Sequence, residues 1–209
     1  MIGVLGGTFD PIHFGHLRPA LDCLQALGLD QVRLIPLHVA VHRPQPVAPA
    51  ALRLAMLEAA IAHQSGLVAD PRELERAGDS YSHDTLVHLR AELGDAEPVC
   101  LLVGSDAFAG FLDWHRPREI LDLVHVVIMR RPGAPEGFES DLQHLLGRRL
   151  CEDPSALRDS PGGRVLLQAV TQMDISSTRI RQLIGQGQSA RFLLPDAVLA
   201  ICAREGLYR

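Results

Sequence analysis

The sequence predicts a single doubly wound α/β domain built on a mostly parallel sheet. Short apolar runs of strand length alternate with segments whose apolar residues recur at helical spacing, and this alternation implies βαβ units with right-handed crossovers. Residues 99–103 are apolar without interruption, which is typical of a strand buried on both faces. The 209 residues suffice for one large domain, and we interpret residues 44–49 as a loop and not as a linker between domains.

The first half of the chain is predicted to contain four strands and three helices. Residues 3–5 form an apolar run that stops at Gly6-Gly7, and leucines at helical spacing then continue to Gly28, which indicates a strand, a glycine turn and a helix. The other elements are strands at 32–35, 67–69 and 99–103, a helix at 51–63 with Leu54, Leu57 and Ile61 on one face, and a helix at 82–93 with Leu86, Leu89 and Leu93.

The second half is predicted to complete the sheet and to end in a small helical part. Short helices at 106–111 and 117–123 lead to a strand at 125–129, which is followed by a break at the prolines of 132–135. Residues 134–163 have the weakest pattern and suggest one helix at 142–150. A last strand at 165–169 precedes two helices at 177–184 and 195–205.

The charged residues exclude several classes of function. All 20 basic residues are arginine, they face 25 acidic residues, and the net charge is −5. Because lysine is absent, a lysine Schiff base and a P-loop are excluded. The negative net charge argues against a broad basic face for nucleic acid, so we expect no nucleic-acid partner and only local phosphate binding.

The apolar residues and the cysteines point to a cytoplasmic protein. Hydrophobic residues make up 47% of the chain, but their runs are interrupted well before the ~18 residues expected of a membrane span, and the first residues do not resemble a signal peptide. The four cysteines form no CxxC pair, so we expect buried thiols in a reducing cytosol, and no membrane partner.

Residues 6–16 (GGTFDPIHFGH) are the first motif that suggests chemistry. A glycine turn after the first strand of a parallel sheet lies where a nucleotide would bind, although a bare glycine pair is also a common turn without a ligand. His13 and His16 are three residues apart, so both rings lie on one side of a helical first turn, where an anion is favoured. A metal would need a third ligand and only Asp10 is near, so we predict no metal bound by the protein here.

Residues 175–181 (ISSTRIR) are the second motif. Ser176 or Ser177 is a suitable N-cap for a short helix, and Ser177, Thr178 and Arg181 then share one side of it. Arginine is disfavoured by the dipole in the first turns of a helix, so a bound polyanion would explain the sequence. The alternative is a capped surface helix with solvated arginines.

The two motifs together resemble those of a known enzyme family. The first resembles the signature of the HxGH nucleotidyltransferase superfamily, most closely that of the bacterial nicotinate-nucleotide adenylyltransferases, and the second resembles their ISxTxIR motif. Weaker matches extend along nearly the whole chain: His42-Arg43, Arg72-Glu73-Leu74, Ser80-Tyr81-Ser82 with Thr85-Leu86, Gly104 with Asp106, Trp114, Arg130-Arg131-Pro132, and residues 194–196 and 207–209.

The resemblance implies a Rossmann-like domain over residues 1–209 that joins ATP and nicotinate mononucleotide, with Mg²⁺ held mainly by the ATP phosphates. It implies His13, His16 and Arg181 as the catalytic residues. The implied ATP-binding residues are Gly6, Gly7, Thr8, Phe9, His13, His16, Gly104, Asp106, Ser177, Thr178 and Arg181. The implied mononucleotide-binding residues are His42, Arg43, Ser82, Trp114 and Arg131.

Two departures from the family keep alternatives open. Residues 37–43 lack the asparagine and the Pro-Pro that the family commonly has, and Ser82 replaces a usual threonine. The alternatives are an adenylyltransferase for another acceptor, such as nicotinamide mononucleotide or pantetheine phosphate, and a non-catalytic nucleotide-binding protein. Trp114 could also be a core or lid residue, and the sequence leaves a homo-oligomer open.

Overall fold

The structure, a computed structural model, describes residues 1–39, 45–76, 78–130, 139–171 and 173–209. Within these ranges the strands are β1 (Ile2–Gly7), β2 (Gln31–Pro36), β3 (Leu67–Ala69), β4 (Val99–Gly104), β5 (His125–Arg130), β6 (Leu150–Cys151) and β7 (Val165–Ala169). The α-helices are α1 (Phe14–Ala26), α2 (Ala50–Ile61), α3 (Ser82–Leu93), α4 (Ser105–Phe108), α5 (Pro117–Leu123), α6 (Ser140–Leu146), α7 (Ser177–Gly185) and α8 (Asp196–Arg204). They confirm the predicted α/β class.

The described strands form one parallel sheet in the order β3-β2-β1-β4-β5-β7-β6. The chain first adds strands to one side of β1 and then continues with β4 on its other side. In such open sheets the crevice at the carboxyl ends, where the strand order reverses, is the usual ligand site. Here that position lies between Gly6-Gly7 at the end of β1 and Gly104 at the end of β4.

Helices cover both faces of the sheet, as the continuous apolar strand predicted. Cys100 and Leu102 of β4 pack with α1, α2, α7 and α8 in one core, whereas Val99, Leu101 and Val103 pack with α3, α4, α5 and α6 in a second core. The alternation follows from the strand period of two residues. The two C-terminal helices therefore belong to the same layer as α1, the helix that carries the histidine motif.

The structure corrects three local predictions. The helix expected at 142–150 ends at Leu146, and a 3-10 turn and the two-residue edge strand β6 follow it. The helix expected at 106–111 is divided into α4 and a 3-10 turn at Phe111–Asp113. In α2 the fully buried face contains Arg53, while Leu54 is only half-buried.

The cysteines are free thiols, and Cys23, Cys100 and Cys202 are buried as predicted, while Cys151 is half-buried. Burial raises the pKa of the Cys23 and Cys100 thiols to about 12, so neither is a nucleophile near neutral pH. Among the helices that the structure describes, none is long and apolar enough to cross a membrane.

Candidate active site

The turn after β1 presents open backbone at the carboxyl end of the sheet. Phe9 is fully buried and has a positive φ of 49°, and its ring packs so closely on Gly7 that a Cβ there would lie 2.6 Å from the ring. A Cβ on Gly6 would meet no described atom within 4 Å, and Gly6 is exposed. A ligand could therefore approach the main chain at Gly6, two residues before Thr8.

His13 and His16 form a stacked pair at the start of α1. Their ring centroids are 3.8 Å apart with an interplanar angle of 25°, and the ring of Phe9 packs edge-on against His16 at 5.2 Å. His13 is the N-cap of α1, and its carbonyl accepts from the N–H of His16 at 2.9 Å. The same-side arrangement is the one that the spacing predicts.

The N-terminus of α1 is less open than the sequence suggests. The N–H of Phe14, its first residue, donates to the carbonyl of Leu193 at 3.1 Å. A helix N-terminus favours an anion because its first N–H groups lack partners within the helix, but this one is satisfied by a segment almost 180 residues later in the chain. An anion bound at this point would therefore depend more on the histidine side chains than the sequence indicated.

Both imidazoles are neutral at pH 7. Burial lowers the pKa of His13 to about 4, and burial together with the neighbouring His13 lowers the pKa of His16 to about 3. Both Nδ1 atoms are buried without a hydrogen-bond partner among the described residues. A buried unpaired lone pair costs less than a buried unpaired N–H, so we infer that each proton resides on Nε2. The pair thus offers two neutral N–H donors.

We expect the free energy of unfolding to fall between pH 7 and pH 5, with His13 contributing about 2 kcal/mol of the fall. An unfolded histidine titrates near 6.5 and folded His13 near 4, so the unfolded chain takes up its proton first. The penalty is absent above pH 6.5 and grows as the pH falls toward 4. Urea unfolding of the wild type and of His13→Ala at both pH values measures it. Identical pH dependence in the two proteins would contradict the assignment, and His88→Ala, an exposed histidine, serves as the control.

The second motif packs directly against the first. A Cβ on Gly15 would lie 3.0 Å from the His13 ring and 3.1 Å from the carbonyl of Ile175, so a larger residue would force one of them to shift. The Ser177 hydroxyl donates to the carbonyl of Pro11 at 3.0 Å. Ser176 is the N-cap of α7, and its hydroxyl accepts from the N–H of Arg179. The N-terminus of α7 is thereby fixed beside the histidines.

Arg181 links α7 to the turn after β1. Its Nη1 donates to the Asp10 carbonyl at 2.8 Å and lies 3.9 Å from an oxygen of the Asp10 carboxylate, and its Nη2 lies 3.4 Å from the Thr178 hydroxyl. The side chain is 29% exposed. Since a guanidinium carries five N–H bonds, Arg181 retains donors for an anion on its open side. His13, His16, Ser177, Thr178 and Arg181 therefore belong to one connected group.

Asp10 holds this group together, a role that the sequence did not reveal. Its buried carboxylate accepts from the N–H of Val47 at 2.7 Å, from the N–H of Ala48 at 3.1 Å and from the hydroxyl of Tyr208 at 2.6 Å. Burial and the adjacent carboxylate raise the pKa of Tyr208. The contacts join the first motif to the loop before α2 and to the segment after α8.

Arg53 is a second residue that sequence reasoning missed. The side chain is almost completely buried, and it donates from Nε to the Ala48 carbonyl at 3.2 Å and from Nη1 to the Thr8 carbonyl at 2.8 Å. It therefore fixes the backbone of the glycine turn from the side of α2. The signal was present in the sequence, because Arg53 precedes Leu57 by four residues and so shares its apolar helix face.

The other predicted residues lie at the ends of neighbouring elements. Gly104 is the N-cap of α4 with open space above it, and Asp106 is exposed in the first turn of that helix. Ser82 opens α3, and half-buried Trp114 packs on Phe111 with the ring centroids 5.3 Å apart.

The segments that carry Ser82 and Trp114 meet in the structure. The ring of Tyr81, just before Ser82, lies 4.6 Å from that of His115, just after Trp114. The predicted residues His42, Arg43 and Arg131 lie outside the residues that the structure describes.

The chain is similar to known nucleotidyltransferases in sequence and in fold. Residues 4–183 match the family model described as cytidylyltransferase-like. A "probable nicotinate-nucleotide adenylyltransferase" of Methylococcus capsulatus is 47% identical over 209 residues, which cover 100% of this chain and 99% of the relative. One of Pseudomonas fluorescens is 47% identical over 208 residues, covering 100% and 97%. The structure of Plasmodium falciparum nicotinic acid mononucleotide adenylyltransferase complexed with NaAD has a TM-score of 0.70 at 17% identity and covers 99% of this chain and 96% of that one, which shows a shared fold.

Proposed function

Because the chain belongs to the cytidylyltransferase-like family and, within it, to the nicotinate-nucleotide adenylyltransferases, we propose the reaction of that group for it. The protein joins ATP and nicotinate mononucleotide. The products are nicotinate adenine dinucleotide and pyrophosphate. We propose that residues 1–209 act as one nucleotidyltransferase domain. The observation that carries the proposal is the stacked pair of neutral histidines beside Arg181 at the end of β1.

The nucleophile is the 5′-phosphate of the mononucleotide, which attacks the α-phosphorus of ATP in line. A phosphate monoester has its second pKa at about 6, so it is largely dianionic near neutral pH and needs no general base. The site has to position two anions and to stabilise the charge that develops on the transferred group and on pyrophosphate. Neutral N–H donors and a guanidinium suit this task, since neither removes a proton from a reactant.

Each side chain of the group has a distinct task. The Nε2–H groups of His13 and His16 donate to the α-phosphate region, and Arg181 with the N-terminus of α7 binds the β- and γ-phosphates. Residues 6–9 and Gly104 approach the nucleotide with their main chain, and Asp106 accepts from the ribose hydroxyls. The exposure of Asp106 and the open space above Gly104 support these tasks.

The nicotinate half is assigned to the adjacent elements. Ser82 at the start of α3 and the plane of Trp114 contact the nicotinate ring, and the proximity of Tyr81 to His115 supports a common pocket. His42, Arg43 and Arg131 remain proposed contacts to the mononucleotide phosphate and carboxylate. The four free thiols support the expectation that the enzyme works in a reducing cytosol.

Mg²⁺ is proposed as the metal and shields the triphosphate when bound. The Asp10 carboxylate already accepts from three donors, and the neighbouring side chains, two histidines and an arginine, carry nitrogen atoms where Mg²⁺ prefers oxygen ligands. This donor set fits a cation that is held by phosphate oxygens and water, as Mg²⁺ often is. The described first motif therefore contributes no ligand to it.

The function is tested by pyrophosphate release from ATP and Mg²⁺ with a panel of acceptors. We expect turnover with nicotinate mononucleotide and much slower turnover with nicotinamide mononucleotide. The proposed contacts, Arg43, Arg131 and the N-terminus of α3, favour the negatively charged nicotinate carboxylate over the neutral amide. Turnover with pantetheine phosphate alone would contradict nicotinate mononucleotide as the proposed acceptor. The absence of turnover with every acceptor would contradict an enzymatic function and favour a non-catalytic nucleotide-binding protein. Calorimetry with a non-hydrolysable ATP analogue confirms that the protein used is competent to bind.

A further inference from the structure

His83, in the first turn of α3, lies between two carboxylates. Its Nδ1 is 3.0 Å from Asp84 Oδ1 and its Nε2 is 2.9 Å from Glu119 Oε2, while its side chain is only 7% exposed. A neutral imidazole carries one N–H and can donate to only one of them. The other contact is favourable only if a cation lies at the ring nitrogen, either a second proton or a metal ion.

His115 adds a third donor at the same place. Its ring centroid is 5.8 Å from that of His83, and the two rings meet edge to face. One ligand atom from each of His83, Asp84 and His115 lies within 4.8 Å of the others. In a tetrahedral zinc site with bonds of about 2.0–2.1 Å the ligand atoms are about 3.3 Å apart, so the accessible side chains of Asp84 and His115 need to close by only about 1.5 Å.

We propose that His83 Nδ1, Asp84 and His115 bind a late first-row divalent cation such as zinc, with a water molecule as the fourth ligand. Glu119 accepts from Nε2–H of His83, which is the outer contact that fixes the ring of a metal-binding histidine. Glu119 is itself held by Arg116 at 3.4 Å. A cavity of about 360 Å³ next to His83 and Asp84 gives the ion an entry path and room for the water.

The bound cation would join two segments of the nicotinate side. His83 and Asp84 follow Ser82 directly, and His115 follows Trp114. A cation shared by these three ligands therefore fixes the start of α3 to the segment that carries the tryptophan. This consequence rests on the proposed function, whereas binding of the cation does not.

The cation site is tested by titrating the whole protein with zinc in the absence of nucleotides and measuring the heat of binding by isothermal calorimetry. We expect one zinc ion per chain, and at least 10-fold weaker binding by His115→Ala and by Asp84→Asn. His115 is exposed, so its loss does not threaten the fold. His88→Ala, an exposed histidine of the same helix that lines the same cavity, is the matched control and should bind zinc like the wild type.

A thermal measurement provides a second readout. Zinc at one hundred times the wild-type Kd should raise Tm by about 5 °C or more in the wild type and in His88→Ala, and by about half as much or less in His115→Ala, whose binding is at least 10-fold weaker. The proposal is overturned if the wild type binds no zinc, if His115→Ala binds it as tightly as the wild type, or if His88→Ala loses it equally.

The effect on catalysis is measured separately. Zinc should lower KM for nicotinate mononucleotide in the wild type while KM for ATP stays unchanged, and in His115→Ala the same fall in KM should need at least 10-fold more zinc. An inactive protein that binds zinc at this site contradicts the proposed function and supports the cation site. An active protein that binds no zinc overturns the cation site alone.

Discussion

His16→Ala should lower kcat by about 10²- to 10³-fold, the usual loss when one preorganised donor is removed from a developing charge. The imidazole is neutral, stacked on His13 and packed against Phe9, so its Nε2–H is oriented before the substrates arrive. Pyrophosphate release at saturating ATP and nicotinate mononucleotide measures the loss. KM for ATP should change much less, because the other proposed contacts to the ATP phosphates lie in α7.

Two further variants test which nitrogen of His16 donates. The amide nitrogen of glutamine lies near the position of Nε2 and that of asparagine lies near Nδ1, so His16→Gln should retain more activity than His16→Asn. His63→Ala, an exposed histidine after α2, is the control and should be fully active. A kcat within a few-fold of the wild type in His16→Ala would contradict the proposed contact with the reacting phosphate.

Asp10→Ala should lower the free energy of unfolding by about 3–5 kcal/mol. The substitution leaves the N–H groups of Val47 and Ala48 and the Tyr208 hydroxyl without their acceptor in a buried position, and it removes the negative charge beside Arg181. Urea unfolding at pH 7 measures the change. Asp106→Ala, which removes an exposed carboxylate, is the control and should change stability by less than about 0.5 kcal/mol.

Tyr208→Phe provides a milder test of the same network. It removes one donor to Asp10 and leaves the two N–H groups in place, so the expected loss is about 1.5–3 kcal/mol, the range for a hydrogen bond to a charged group. A loss below about 1 kcal/mol in Asp10→Ala would show that the carboxylate is not what joins the three segments.

The sheet and most helices were predictable because they depend on local patterns. The uninterrupted apolar run of β4 and the leucine spacing of α3 report burial directly, and the structure has both where they were expected. Strand β6 was missed because two residues at a sheet edge contain no period. The division of the helix after β4 was missed for a related reason, since four helical residues form barely one turn.

The candidate site was predictable only as far as its motifs are continuous in sequence. The spacing of His13 and His16 was enough to place their rings on one side. The Asp10 carboxylate, Arg53 and His83 each bind a partner between 36 and 198 positions away, and no local pattern encodes such pairs. Buried charges in particular depend on which distant donors the fold brings to them.

The bond between Tyr208 and Asp10 also has a consequence for the order in which the molecule is assembled. Its two residues are 198 positions apart, and the contacts of Ser177 and Arg181 with the first motif span 166 and 171 positions. A nascent chain that has made β1 and α1 early therefore carries an unfinished candidate site until synthesis has passed residue 208. Contacts of such long range are formed late and slowly during folding. A chain shortened before α7 would keep the histidine pair in sequence and lack the residues that hold it in place.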